Sequence, residues 1–372
     1  METKKPRRVE FYWKIIGFLT RVSDCLWRRL MNLYHRNAAE SLTNNRHCLT
    51  AAQKREIKDF WKPYWKIDTT YHNFYTEKTG VFSPEYIPDD LFCSIIDPRL
   101  NNNKKAVYID DKCLYRVLLK DIGIKMPETI CYRVERVTFG GDGQPVDMPG
   151  AIRMIAGEGR AFIKRARESC GGKGVVVYDK DRMNPEELAK AVRQLGYNWV
   201  AQKCIRQSPV LSALNPNSVN TLRVITYLQP DGNVLVLPAV LRMSANSACV
   251  DNAESGGISV GVLPDGRLKD KAIKKSGETF DVHPLTGVRF SDVTIPGFPS
   301  IMEKLRTAQL RFPYFRFIGW DIALDENNEP VLVELNTRPA IYLIQLNHGP
   351  LFGDHVREAL DDIFETKTST KK

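Results

Sequence analysis

The sequence has no cysteine pair at metal-binding or redox spacing. Its eight cysteines, at 25, 48, 93, 113, 131, 170, 204 and 249, form no Cys-x-x-Cys, which argues against a zinc site or a disulfide framework and suits reduced thiols. The six histidines (35, 47, 72, 283, 348 and 355) never cluster, so neither a histidine metal centre nor a triad is expected. His348, beside Gly349-Pro350, reads as a loop residue at a helix end. Long apolar runs are also missing. None approaches the roughly 18–20 residues of a membrane span, and Lys14 and Arg21 interrupt what would be the apolar core of a secretory signal. No GxxxxGK[ST] opens a helix, which excludes a P-loop. There is no internal repeat, and no low-complexity stretch beyond the Lys/Thr tail.

Net charge is also nearly absent from most of the chain. The net charge of +10 is concentrated in residues 1–66, where 15 Lys/Arg stand against 6 Asp/Glu; the remaining 39 against 38 leave +1. A near-neutral body argues against a nucleic-acid enzyme, whose working domain would carry the basic surface. What is present is the composition of an ordered protein: 372 residues, 43% hydrophobic and 26% charged, enough for two or three domains. A cytoplasmic location is expected.

Residues 10–36 are amphipathic at helical spacing. Tyr12, Ile15, Leu19, Val22, Leu26, Leu30 and Leu33 share one stripe, and Lys14, Arg21 and Arg28 another. Two readings stand: a helix lying on an anionic membrane at its inner face, or an accessory helix docking its apolar face on the body. Phe60-Trp61-Lys62-Pro63-Tyr64-Trp65 closes this basic region and is expected to pack on the adjoining downstream segment. The expected organisation is a basic helical region over 1–67, a preceding segment over 68–130, a small subdomain over 131–206 and a larger one over 207–372. A helix is expected over 111–120, ending at Gly123. Strands are expected at 130–138, 161–165, 174–179 and 199–205, with helices near 148–157 and 184–195. Beyond 208 the strands lengthen, and Asp231-Gly232 and Asp265-Gly266 mark hairpin turns. A helix near 351–365 closes the pattern.

Residues 317–336 read as a further hairpin with Asn327-Asn328 at its tip. A two-residue loop there sets Glu326 opposite Glu329, and Asp321 opposite Glu334. Like charges directly opposed on a sheet destabilise it. Asn336 lies two residues beyond Glu334, hence on the same strand face. Two carboxylates and an amide are hard oxygen ligands suited to Mg²⁺, which turns the like-charge penalty into coordination. Upstream, Ala161-Phe162-Ile163-Lys164 reads as a strand ending in lysine. A glycine-rich tip, Glu168-Ser169-Cys170-Gly171-Gly172-Lys173-Gly174, comes after it, and then Val175–Tyr178. Backbone N–H groups of such a tip can fold over phosphates.

Over roughly residues 105–350 these motifs resemble the ATP-grasp superfamily, most closely its sugar-transfer-associated branch. The matching stretches are Asp111-Lys112 through Gly123-Ile124-Lys125-Met126-Pro127; Lys164 with Glu168–Gly174; Trp199–Ile205; Asn217–Val224 with Asp251-Asn252 and Gly256-Gly257-Ile258; and Asp321, Glu334 and Asn336 at spacings of thirteen and two. The resemblance implies an α+β ATP-grasp fold, two α+β subdomains clasping ATP, behind the basic helical N-terminal extension. It implies ATP and Mg²⁺ as cofactors, with Mg²⁺ on Asp321, Glu334 and Asn336. Lys112 and Lys164 would meet the phosphates, with Glu168, Ser169, Gly171, Gly172 and Gly174 closing over them. Gln202, Lys203 and Ile205 would meet the adenine edge, with Trp320 or Ile163 near the ring. The implied activity is ADP-forming carboxylate–amine ligation through an acyl-phosphate, in surface-polysaccharide biosynthesis, with a small-molecule or glycan carboxylate and an amine as partners and no nucleic acid. A peptide ligase, a kinase or a non-catalytic nucleotide-binding scaffold is the alternative.

Three positions depart from the pattern. Gly319 stands where related ligases often carry an arginine two residues before the metal-binding Asp, so Arg223, Arg242 or Arg338 is expected to hold the acyl-phosphate. Gln202-Lys203 occupies a place where an acid is common, which leaves the ribose contact unassigned. Arg165 comes after Lys164 where proline is frequent.

Overall fold

The computed structural model describes residues 26, 30, 32–43, 48–167, 174–247 and 257–365. The chain divides into two compact units, one ending at Pro98 and the other beginning at Arg99.

The first unit is helical. Helix α1 has 26, 30 and 32–42 as its described residues, and is followed by α2 (Ala51–Trp61) and α3 (Thr70–Thr79). Thr50 starts α2 through a capping box: its hydroxyl accepts the Gln53 N–H (3.2 Å), and Gln53 Oε1 accepts the Thr50 N–H (2.9 Å). The aromatic run packs in part within this unit, Trp65 being 39% exposed. Phe60 and Trp61 are buried, and the Trp61 indole donates to Pro84 O at 2.9 Å. Tyr75 and Tyr86 stack at 4.8 Å. His72 is sealed in this core, and burial takes its pKa down to about 4, so it stays neutral.

The second unit holds two antiparallel sheets. The smaller comprises β1 (Thr129–Val134), β2 (Val137–Gly140), β3 (Pro145–Val146), β4 (Arg160–Arg165), β5 (Val175–Asp179) and β6 (Trp199–Lys203), in the order β3-β2-β1-β6-β4-β5. The strand expected over 130–138 is therefore a hairpin, turning at Glu135 with φ +53°. Helices α4 (Met148–Gly157) and α5 (Pro185–Gln194) pack with Ile130, Ala161, Ile163 and Ala201 in one core. The sequence sets α5 locally. Asn184 caps Glu186 and Glu187, Glu187 returns the bond, Pro185 fits the first turn, and Leu188 and Val192 share the buried face. Each of those two side chains contributes about 1.5–3 kcal/mol by burial.

The larger sheet comprises β7 (Thr221–Leu228), β8 (Val234–Val236), β9 (Val240–Met243), β10 (Ile258–Val262), β11 (Leu268–Ile273), β12 (Thr279–Phe280), β13 (Phe317–Leu324) and β14 (Pro330–Asn336). Its order is β12-β11-β10-β9-β7-β13-β14, with β8 paired to β7. Pro238 cannot donate to a ladder, and the chain breaks there between β8 and β9. Helices α6 (Phe298–Gln309), α7 (Tyr342–His348) and α8 (Val356–Phe364) complete the unit. Leu222, Val224, Ile318, Trp320 and Ile322 share a core with Phe298, Ile301 and Leu305 of α6. Strand alternation therefore turns Arg223 and Asp321 to the other face.

The segment over 111–120 is shorter as a helix than its pattern predicts. A 3₁₀ turn (Lys112–Leu114) runs into Tyr115–Leu118, and helical geometry is lost at Leu119. Its value is positional. The Lys112 N–H reaches Ala166 O (2.9 Å) just past β4, while the Lys112 ammonium reaches β14. Two sheets are thereby tied through one residue.

Candidate active site

The 317–336 hairpin places Asp321 opposite Glu334, but not through a two-residue loop. Asp325 N–H bonds Glu329 O (2.9 Å), leaving Glu326, Asn327 and Asn328 in a three-residue turn, with Asn328 left-handed at φ +64°. Glu326 and Glu329 therefore do not face each other. Asp325 Oδ1 pins the turn by accepting the N–H groups of Asn327 and Glu329. A bulge between Asp321 and Ile322 then shifts the ladder back by one, so Ile322 faces Leu332 and Asp321 faces Glu334. Two one-residue displacements cancel.

Asp321 and Glu334 are neutralised by cations from three separate segments. Asp321 faces Arg223 directly across the β13–β7 ladder. The guanidinium is bidentate, with Nε to Oδ1 at 2.5 Å and Nη2 to Oδ2 at 2.9 Å. Arg242 of β9 adds Nη1 to Oδ1 at 3.1 Å, and Asn336 Nδ2 donates to Oδ2 at 3.3 Å. Burial alone would push this carboxyl up; Arg223 and Arg242 outweigh it and hold the pKa at about 2, so Asp321 is ionised. Glu334 is more open, with a side chain 34% exposed, and Lys112 Nζ lies 3.0 Å from its Oε1.

Four donors on Asp321 decide what a divalent cation would find. Glu334 and the amide oxygen of Asn336 offer hard oxygen ligands, and two protein ligands suffice for Mg²⁺ that shares phosphate oxygens. Asp321 has its acceptor directions taken by Arg223, Arg242 and Asn336, and would join only by releasing a donor. Among the described residues, no group of three or more His, Cys, Asp or Glu is arranged to hold a metal.

The departure at Gly319 has a steric reason. A Cβ there would stand 2.6 Å from Pro339 Cβ, which leaves no room for an arginine side chain. The guanidinium beside the acid arrives across the ladder instead, from Arg223. Arg338 is exposed at the end of β14, and its charge acts on Asp110.

On the smaller sheet, Lys164 pairs with Val200, which pairs with Tyr132, so the three share a face. Phe162 and Gln202 lie on it too. Ile163 and Trp320 are each fully buried in a core, Ile163 among α4 and α5 and Trp320 with its indole donating to Thr226 Oγ1 (2.8 Å). Neither can pack on a nucleotide ring, contrary to the sequence expectation; on the opposite face of the smaller sheet Val200 is itself buried with Cys113, Tyr132 and Ala166, and Phe162 is half-buried. Lys203 of β6 lies 2.8 Å from Glu128 and 3.4 Å from Glu158, acids that the local sequence of the hinge does not reveal. Gly174 is left-handed (φ +75°), and its carbonyl accepts the Arg165 N–H. Glu168, Ser169, Cys170, Gly171, Gly172, Asp251, Asn252 and Gly256 lie outside the described residues. His348 ends α7 with Nε2 2.9 Å from Ala239 O; burial, and then Lys269, lower its pKa to about 4.

Two residues that sequence reasoning missed hold the hairpin in place. Tyr115 hydroxyl accepts the Leu335 N–H (3.1 Å) and donates to Leu335 O (3.3 Å), fixing β14 between Glu334 and Asn336. Asn101 accepts the Phe317 N–H and donates to Phe317 O and Thr337 O, clamping the start of β13 to the end of β14. A buried tyrosine in a helical pattern and one asparagine in a run of three carry no sequence signal of such roles.

Residues 94–358 match the family described as sugar-transfer associated ATP-grasp. The chain belongs to this family. Solved structures similar to it include the ADP complex of purK, N5-carboxyaminoimidazole ribonucleotide synthetase (12% identity, TM-score 0.41, covering 64% of this chain and 48% of that one). Another is a biotin carboxylase–β,γ-ATP complex from Campylobacter jejuni (13%, 0.47, 73% and 50%), and a third is the D-cycloserine synthetase DcsG (11%, 0.44, 72% and 73%). This sugar-transfer-associated ATP-grasp chain spans about half the length of the first two. No curated protein gives a match.

Proposed function

We propose that the protein is an ATP-dependent carboxylate–amine ligase, forming an amide through an acyl-phosphate in surface-polysaccharide biosynthesis. The observation that carries the reading is the facing pair Asp321 and Glu334, ion-paired with Lys112, Arg223 and Arg242. Those cations are the groups a triphosphate needs. On arrival of ATP, Lys112 exchanges Glu334 for phosphate oxygens, and Arg242, the longer of the two arginine contacts to Asp321, turns to the transferring phosphoryl group. Glu334 and Asp321 so released would be available as oxygen ligands to a divalent cation. Glu334 and Asn336 would hold it, joined by Asp321 after the exchange. Mg²⁺ there supplies charge neutralisation to the phosphate oxygens.

The substrate carboxylate oxygen then attacks the γ-phosphorus, the bond to the β-phosphate oxygen breaks, and ADP leaves. Arg223 and Arg242 steady the acyl-phosphate oxygens, Lys164 neutralises the nucleotide's phosphates, and the glycine-rich tip excludes water that would hydrolyse the anhydride. The amine nitrogen attacks the acyl carbon, phosphate departs and takes up the proton, and the amide remains. The glycan setting rests on the family's association with sugar transfer.

An ADP-release screen of uronic acids and peptides, each with amino acids or amino sugars, tests this. ADP release that requires both acid and amine supports the ligase. A stable phosphoester from a hydroxyl acceptor replaces it with a kinase, and nucleotide binding without ADP from any acceptor replaces it with a scaffold.

A further inference from the structure

Helix α1 docks on the first unit by one stripe and leaves a different one bare. Arg36 pairs with Asp68 and Asp90, each at 2.8 Å, Ala39 is 3% exposed, and the Tyr71 hydroxyl donates to His35 O. At about 100° per residue, Leu26, Leu30, Leu33 and Tyr34 lie on the opposite side. They are 57%, 53%, 58% and 64% exposed. A surface helix normally turns such a stripe to the core. Here the docked side is held by an ion-paired arginine and an alanine, and the leucines face outward.

The sequence extends the bare stripe. Tyr12, Ile15, Leu19 and Val22 recur in the sequence at the same spacing, interleaved with Lys14, Arg21 and Arg28, although all seven lie outside the described residues. Trp65 and Lys66, which line one pocket with Asn32 and Arg36 of α1, are exposed, Trp65 at 39%, as is Lys62. The charge of residues 1–66, 15 cationic against 6 anionic side chains, selects the occupant. A second copy would set two strongly basic segments against each other, whereas anionic headgroups complement them. We propose that the Leu26/Leu30/Leu33/Tyr34 face of α1, with the basic segment around it, docks on an anionic phospholipid surface. The leucines enter the acyl boundary, the aromatics sit among headgroups, and the lysines reach phosphate. The helix lies on the surface; among the described residues no helix is long and apolar enough to cross a membrane.

The test is sedimentation of the full chain with phosphatidylcholine vesicles, with and without phosphatidylglycerol. The expected result is binding to the anionic vesicles that is at least ~tenfold tighter than to neutral ones and weakens with salt. Leu30→Asp/Leu33→Asp is expected to lose at least ~tenfold of that affinity, with unchanged circular dichroism and ADP release. Leu26→Gln/Leu33→Gln serves the same purpose if the aspartate variant misfolds. Absence of binding to anionic vesicles overturns the proposal, as does binding indifferent to the leucine changes. A dimer that these changes dissociate, without vesicle binding, assigns the face to a second copy instead.

Discussion

Asp321→Asn is the perturbation that weighs the site most directly. It keeps the shape of the side chain and removes the charge that two arginines share. Opposite unit charges 4 Å apart attract by about 4 kcal/mol at an effective dielectric near 20, but taking each ion out of water costs several kcal/mol. The surplus shows in the acid's pKa, which falls from 3.8 to about 2. A depressed carboxyl contributes stability that is fully present above the unfolded pKa and is lost as pH falls through the folded one. Asp321 thus adds about 2 kcal/mol above pH ~4, fading toward pH ~2. Removing one partner costs more than that surplus, because Arg223 and Arg242, with side chains 8% and 14% exposed, keep their burial and lose their anion. Asp321→Asn is therefore expected to lose about 3–5 kcal/mol at pH 7. Arg223→Met/Asp321→Leu, which removes both the acid and its bidentate partner, should lose less than Asp321→Asn alone. Urea denaturation followed by tryptophan fluorescence at pH 7 and pH 3 measures both. A loss under ~1 kcal/mol, or an acid limb unchanged by the substitution, refutes the reasoning that the pair is buried, ionised and net favourable.

Glu334 separates chemistry from stability. Glu334→Gln should cost less stability than Asp321→Asn, since Glu334 is 34% exposed although the Lys112 side chain is buried, yet reduce Mg·ATP turnover at least ~100-fold; near-normal ADP release would remove it from the metal site. Lys164→Ala should weaken nucleotide binding strongly by calorimetry, and unchanged affinity would count against its phosphate role. Gly319→Ala should cost about 1–3 kcal/mol of stability, because its Cβ meets Pro339 at 2.6 Å; an unchanged melting temperature would show that Pro339 gives way.

The parts legible in sequence are those written in short-range patterns. Helix α5 arises from Asn184, Pro185 and Glu187 before Leu188 and Val192, and the turns at Gly232 and Gly266, both with positive φ, arise from Asp-Gly. The facing acids were legible too, although the loop and the bulge that produce the register were not. Alternation over two runs tolerates two opposite one-residue shifts, and the pattern is the same with or without them. Ile163 was misplaced because an apolar strand residue looks alike on either face, and only the packed helices α4 and α5 show which side is core.

By itself the sequence determined which chemistry was available: two acids and an amide on one strand face, a lysine ahead of a glycine-rich tip, and an amphipathic basic N-terminus. Tertiary structure decided what each acid meets. Arg223 reaches Asp321 from 98 residues away and Arg242 from 79, while Lys112 reaches Glu334 from an irregular turn between the sheets. Strand order is fixed by packing over the whole sheet, and no local periodicity records which strand will lie beside β13. The same holds for α1, whose leucine stripe is plain in sequence but whose docked face was set by Asp68 and Asp90 across the unit.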